Sequence, residues 1–229
     1  MAISLLDSYN STGNSLSPSI TTTSSTFQFQ VAYVIINDVL TITPPSGWTN
    51  LTTFSGGSGA NKIAGVLSYN VVTSIPSGGT LNWTLSGSST ANYVITLARF
   101  IDLSAFVAGN GQYLSSNTTL TTPSITSGDG KGLLIMGIGQ KSPSTATFSG
   151  QKIMRTSDST TLYTPTLITS AQIGTTQGTQ LYNLMYYSLV DMVSTAITGQ
   201  VTSSDSQQGA YFLAAFNYRA SISKTATIF

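Results

Sequence analysis

Apolar residues in this chain come in short bursts separated by hydroxyl-rich stretches. Continuous apolar runs such as 31–36 and 133–136 fall far short of the roughly 20 residues a membrane-spanning helix requires. Elsewhere the pattern alternates. Leu81, Trp83 and Leu85 interleave with Asn82, Thr84 and Ser86, the period-two spacing of a half-buried strand. Valine, isoleucine, tyrosine, phenylalanine and threonine concentrate between turn residues. The predicted strands are 26–36, 39–43, 63–72, 80–86, 92–101, 132–139, 181–193, 195–202 and 210–220. Asp129-Gly130 and Gly78-Gly79 supply turns with positive φ, and Pro44-Pro45 ends a strand. Residues 54–61 and 141–149 read as loops, and residues 1–25 as a polar arm.

One segment fits two patterns. LYNLMYYSLVDMV (181–193) is long enough for a helix, but such a helix would be apolar almost all round and need burial on every side. An internal correspondence favours a strand. Shifting the chain by 118 residues lays 64–100 over 182–218 without a gap, so that Tyr69 meets Tyr187, Val72 meets Val190 and Tyr93 meets Tyr211. YVITLARF (93–100) then overlies YFLAAFNY (211–218) with its alternation preserved, and that alternation decides which side chains face a core. The fold expected is all-β, an antiparallel, jelly-roll-like sandwich. Its organisation is an arm at 1–25, a first β half at 26–105, a connector at 106–124, a second β half at 125–220 and a tail at 221–229. A single sandwich with many similar strands is the alternative to two related halves.

Composition narrows the chemistry. The 229 residues include eight Lys and Arg against seven Asp, with no Glu, no His and no Cys, while Ser and Thr number 71. No imidazole can serve as a base and no thiolate can attack a substrate or hold zinc. The carboxylates Asp7, Asp38, Asp102, Asp129, Asp158, Asp191 and Asp205 are scattered singly. Lys141-Ser142 carries little weight as a nucleophile pair in so serine-rich a chain. The glycines of 56–62 lack phosphate-loop spacing, and Asp129-Gly130-Lys131 has too few oxygen donors for calcium. The sequence therefore predicts no catalytic, cofactor or metal residues and a protein that is not an enzyme. A net charge of +1 without a basic cluster gives no footprint for nucleic acid or a membrane surface. The first residues lack a basic, apolar leader, so synthesis in a cytoplasm without membrane insertion is expected.

Aromatic side chains remain as contact candidates, because ring faces stack on sugars. Core packing is the favoured role for Trp83, Tyr187 and Trp48. The loop contacts singled out are Trp48, Asn50, Phe54, Asn61, Tyr113, Lys141, Lys152, Arg155 and Tyr163.

The order of short motifs carries a resemblance. TITPPSGWT (41–49) follows an apolar strand, then come AGVLSYNVV (64–72), GTLNWTLS (79–86), YVITLARF (93–100) and TPSITSGDGKGLLIM (122–136). From 21 to 218 the chain resembles β-sandwich modules of virion surface proteins in tailed bacteriophages, both head decoration or fibre proteins and tail fibres. The Pro-x-Gly-Trp turn is not repeated in the second half. The resemblance implies a non-enzymatic structural protein of the virion surface. In that role a capsid decoration (cement) or head-fibre protein would bury area between subunits as a homo-oligomer, a trimer being favoured, against major capsid or tail proteins. The alternative is a tail-associated receptor-binding protein that reads a host surface glycan with loops at 50–61 and 141–155.

Overall fold

The segment FQVAYVII has no solvent face: all eight of its residues are buried. A strand can be apolar on both sides only if something covers both sides, and the fold is organised around that requirement. The computed structural model describes residues 3–23, 29–71, 79–101, 103–142, 145–174 and 180–218. The first half contributes β1 (Ser4–Ser15), β2 (Ser19–Thr22), β3 (Phe29–Ile36), β4 (Ile42–Thr43), β5 (Thr49–Gly56), β6 (Ile63–Val71), β7 (Gly79–Asn82), β8 (Thr84–Leu85) and β9 (Ala91–Ile101). The second contributes β10 (Leu103–Thr121), β11 (Ile125–Thr126), β12 (Gly130–Ser142), β13 (Phe148–Arg155), β14 (Thr161–Tyr163), β15 (Thr166–Ile173), β16 (Gln180–Met192) and β17 (Ala196–Tyr218). Every pairing is antiparallel, as an all-β sandwich requires.

The two halves repeat one topology. The first inner sheet runs β1-β9-β3-β6-β5. In the second, residues 209–218 of β17 lie between β10 and β12, giving β10-β17-β12-β16-β15. Each inner sheet carries a smaller outer layer. In the first half β7 pairs β2 and β8 pairs β4. In the second half residues 196–203 of β17 are flanked by β11 and the end of β10 on one side and by β13 on the other. Taking β7 and β8 as one strand, the first half places its first, third, fifth, sixth and eighth strands in the inner sheet and its second, fourth and seventh in the outer layer, a jelly-roll-like order except that the fifth joins the inner sheet.

The shift of 118 residues preserves faces throughout. Inward-facing Ile63, Leu67, Val94 and Ala98 correspond to Leu181, Met185, Phe212 and Phe216, all in the central core. Outward-facing Ala64, Tyr93, Ile95 and Leu97 belong to the outer core of the first half, and their counterparts Tyr182, Tyr211, Leu213 and Ala215 to that of the second. Ile36 pairs with both Ala64 and Tyr93, whereas the counterparts Tyr182 and Tyr211 pair with Gln140 and Ile138. That two-residue slip leaves every face unchanged, since the side-chain period is two.

The inner sheets pack face to face in reversed lateral order: β5 lies against β10, β1 against β15, β9 against β16 and β6 against β17. Because β10 is the counterpart of β1, and β15 that of β5, each contact has a symmetric partner, as across an isologous dimer interface. The Tyr33 and Phe212 rings meet edge to face at 4.7 Å, and those of Phe29 and Phe216 at 4.8 Å. Glycines make the room. A Cβ at Gly137 would run into the Phe212 ring, and one at Gly139 would fall 2.5 Å from the Tyr33 hydroxyl. Each large side chain buried in this layer contributes about 1.5–3 kcal/mol. Asn183 bridges the layer with polar contacts. Asn183 donates to the carbonyls of Tyr33 at 2.9 Å and Val94 at 3.2 Å, and accepts from the Thr96 hydroxyl at 3.1 Å.

Five expectations change. The described residues of the expected arm, 3–23, do not form an arm. Residues 4–15 pair along the whole of β9, and β1 is clamped where buried Arg99 donates to the Thr23 carbonyl at 2.8 Å, sits 3.6 Å from Asp7 and lies over the Tyr9 ring. Residues 106–124 are not a connector but mostly β10, a strand whose polar side chains disguise it. The loop expected at 54–61 is the end of β5 followed by a single 3-10 turn at Gly59–Asn61. In the stretch 141–149, Lys141 and Ser142 still belong to β12, and Phe148 opens β13. The strands expected at 195–202 and 210–220 are, over their described residues, parts of one strand, 196–218, that passes from the outer layer into the inner sheet. The expected tail at 221–229 and the residues 26–28, 72, 219 and 220 of the expected strands lie outside the described residues.

Buried phenols make this core sensitive to alkali. Burial holds the Tyr33 hydroxyl, which donates to the Ala210 carbonyl at 2.5 Å, well above the ordinary tyrosine value of 10.0. Burial also raises Tyr211, and pushes Tyr186 up to about 12. A phenol whose folded-state pKa is raised stabilises the fold fully below the unfolded value and loses that contribution as pH climbs through the folded one. Denaturant midpoints should therefore stay level up to pH 9 and fall above about pH 10, with tyrosinate absorbance appearing together with unfolding. Ionisation of all tyrosines near pH 10 without loss of structure would contradict this packing.

Candidate functional site

At the end of the sandwich where β3 stops, a groove of about 460 Å³ opens between residues 39–42, 53–55, 64–65 and 111–113. Local chemistry builds its walls. After Ile36, the Asn37 carboxamide accepts the Asn92 N–H at 2.9 Å, extending the ladder by one side chain before the strand leaves the sheet. Asp38 accepts the Val39 N–H at 2.8 Å and pairs with Lys62 at 3.3 Å. Residues 39–42 are then tied to the outer layer, because Thr41 N–H donates to the Ser86 hydroxyl at 2.9 Å and Ser86 N–H returns a bond to the Thr41 carbonyl at 3.0 Å.

Two aromatic rings are seated on glycines. The Phe54 ring fills the space that side chains at Gly65 and Gly111 would need, and a Cβ at Gly56 would fall 2.5 Å from the Tyr113 ring. Thr41, Thr53 and Ser55 are exposed at the groove, and the Gln112 carboxamide donates to the Thr121 carbonyl at 2.6 Å. None of the lining residues carries a charge.

The second half closes the corresponding place. Where the first has Ala64 and Gly65, the repeat puts Tyr182 and Asn183. The Tyr182 hydroxyl accepts the Ala146 N–H at 3.1 Å and donates to the Gln180 carboxamide at 2.5 Å, its ring packs edge to face on Phe148 at 5.6 Å, and Asn183 forms the buried bridge to the other sheet. Among the described residues, Tyr182 and Asn183 thus occupy the place that Ala64 and Gly65 leave open.

Of the contacts singled out in the sequence, Phe54 and Tyr113 meet at the groove. Asn50 is exposed on β5. Asn61 is exposed at the end of the 3-10 turn, its N–H bonded to the Ser58 carbonyl at 3.0 Å. Trp48 packs edge to face on fully buried Trp83 at 5.5 Å. Lys141 is buried; desolvation lowers its pKa, and the Asp38 carboxylate works against that shift. Lys152, Arg155 and Tyr163 lie on β13 and β14 in the second half, remote in the fold from residues 39–42. Arg155 pairs with Asp158 at 2.9 Å, and the Tyr163 hydroxyl donates to the Asp191 carbonyl at 2.8 Å. The nine residues are therefore not one site. The groove residues that sequence reasoning passed over are mostly small: Thr53, Ser55, Ala64, Gly65 and Gly111. Their only signal was glycine set within strand pattern.

Lys141 and Ser142 point to opposite faces of β12, as neighbours on a strand must: Ser142 bonds Asp205, while Lys141 faces the field of Asp38. Among the described residues no three acidic side chains gather into a metal site. Comparison with protein-family models, curated proteins and solved structures finds no match for this chain.

The Trp48 contact is testable. Trp48→Ala removes half of the Trp pair and should lower stability by about 2 kcal/mol in urea denaturation. A loss below about 0.5 kcal/mol, the size of an ordinary surface substitution, would show that the ring is not packed.

Proposed function

We propose that this chain is a non-enzymatic structural protein of a bacteriophage virion surface, a decoration or head-fibre protein that works by burying area against neighbouring subunits. The observation that carries this reading is the character of its sheet edges. β1, β5 and β15 each pair on one side only among the described residues. Together they hold a single charged residue, Asp7, and neither lysine nor proline. Open edges of this kind are a liability for a free monomer and are normally blunted with charge or proline. On a protein built to join an assembly they offer main-chain donors and acceptors to a neighbour. The hydroxyl-rich, sparsely charged composition suits hydrogen-bonded and water-mediated contacts of the same kind. Jelly-roll sandwiches serve widely as capsid and lectin domains, and the sequence motifs resemble phage surface modules. Both of these are analogies of fold and family.

Antibody against the purified chain, used for immunogold electron microscopy of intact particles of the virus that encodes it, tests the proposal. Label distributed over the whole head is the expected result. Label confined to the tail tip, or no label on any particle, would overturn it.

A further inference from the structure

The groove at the end of β3 has a chemistry that assembly through sheet edges does not use, and the second half of the molecule supplies an internal control for it. Both halves follow one topology and one face pattern, so a cleft inherent to the fold would appear twice. The repeat fills the matching place with Tyr182 and Asn183 and satisfies both of them by hydrogen bonds. Ala64 and Gly65 leave it open, and the Phe54 and Tyr113 rings are held in place there by Gly65, Gly111 and Gly56.

The lining narrows the class of ligand. With no charged group in the wall, the groove has nothing to neutralise an anion or a cation, either of which would lose its hydration without a partner. Nor is it a lipid slot, because the hydroxyls of Thr41, Thr53 and Ser55 and the Gln112 carboxamide share it with the rings. A ligand matched to this surface has an apolar face for an aromatic ring and a rim of uncharged hydroxyls. A neutral sugar has both. The volume of about 460 Å³ lies within the range of small-molecule sites. We infer that the groove between residues 39–42 and 111–113 is a binding site for a neutral saccharide, held by contact with the Tyr113 ring and by the hydroxyls of Thr41, Thr53 and Ser55. The inference goes beyond the virion reading and does not depend on where the protein sits on a particle.

Saturation-transfer NMR on the full chain tests it, with the methyl glycosides of glucose, galactose, mannose, rhamnose and N-acetylglucosamine as probes and sialic acid as the charged comparison. At least one neutral glycoside should bind. Ser55→Trp should abolish that binding by filling the groove from an exposed position that leaves the core intact. Tyr113→Ala should weaken it about tenfold, the scale of one lost aromatic contact. Ser194→Ala, exposed in the second half, should leave it unchanged. Binding by none of the five neutral probes, binding that survives Ser55→Trp in a folded protein, or preference for sialic acid would each overturn the assignment.

Discussion

Two strands with no solvent face set the terms for everything else. β3 is buried along its whole length, and β12 is buried from Gly132 to its end. One side of each is covered by the other inner sheet, through the layer where Tyr33 meets Phe212 and Phe29 meets Phe216. The other side is covered by its own outer layer, Trp83 and Leu85 over β3 and Ile197 and Val201 over β12. Remove either cover and a continuous row of valine, isoleucine and leucine is exposed to water at roughly 25 cal/mol for each Å². The outer strands, short and polar on their far side, are therefore as necessary as the central ones.

This dependence also explains what could be read from the chain. Strands covered on both faces appear as apolar runs, so 31–36 and 132–139 are legible directly, while 181–193, interrupted by Asn183, Ser188 and Asp191, reads as a strand through the internal correspondence. Strands at the rim are a different case. β1, β5, β10 and β15 need to be apolar on one face at most, and their other residues are serine, threonine, asparagine and glycine, the same residues that mark turns. Residues 4–15 and 106–121 were accordingly taken for an arm and a connector. Their pairing depends on neighbours distant in sequence, Arg99 for β1 and the whole second half of β17 for β10, and no local pattern records that. The 118-residue correspondence was readable for a related reason: a face pattern survives where residue identities do not.

The groove was legible only through its rings. Phe54 and Tyr113 stood out as aromatics in hydroxyl-rich surroundings, but what creates the opening is missing side chains at Ala64, Gly65 and Gly111. Its meaning emerges from the comparison with Tyr182 and Asn183, which depends on knowing that the halves superpose face for face. At this place the two halves differ: one has a closed interior that bridges the sheets through Asn183, the other an open, uncharged cleft.

Central to this account is that neither half is complete without the other. Hydrogen exchange followed by mass spectrometry measures this directly, since segments that open together share one free energy of opening. Amides of β3, β6 and β9 and those of β12, β16 and residues 209–218 of β17 should form the slowest class and lose protection at the same denaturant concentration. A first half that opens at one concentration while the second keeps its protection to a distinctly higher one would mean two independent domains and contradict the account.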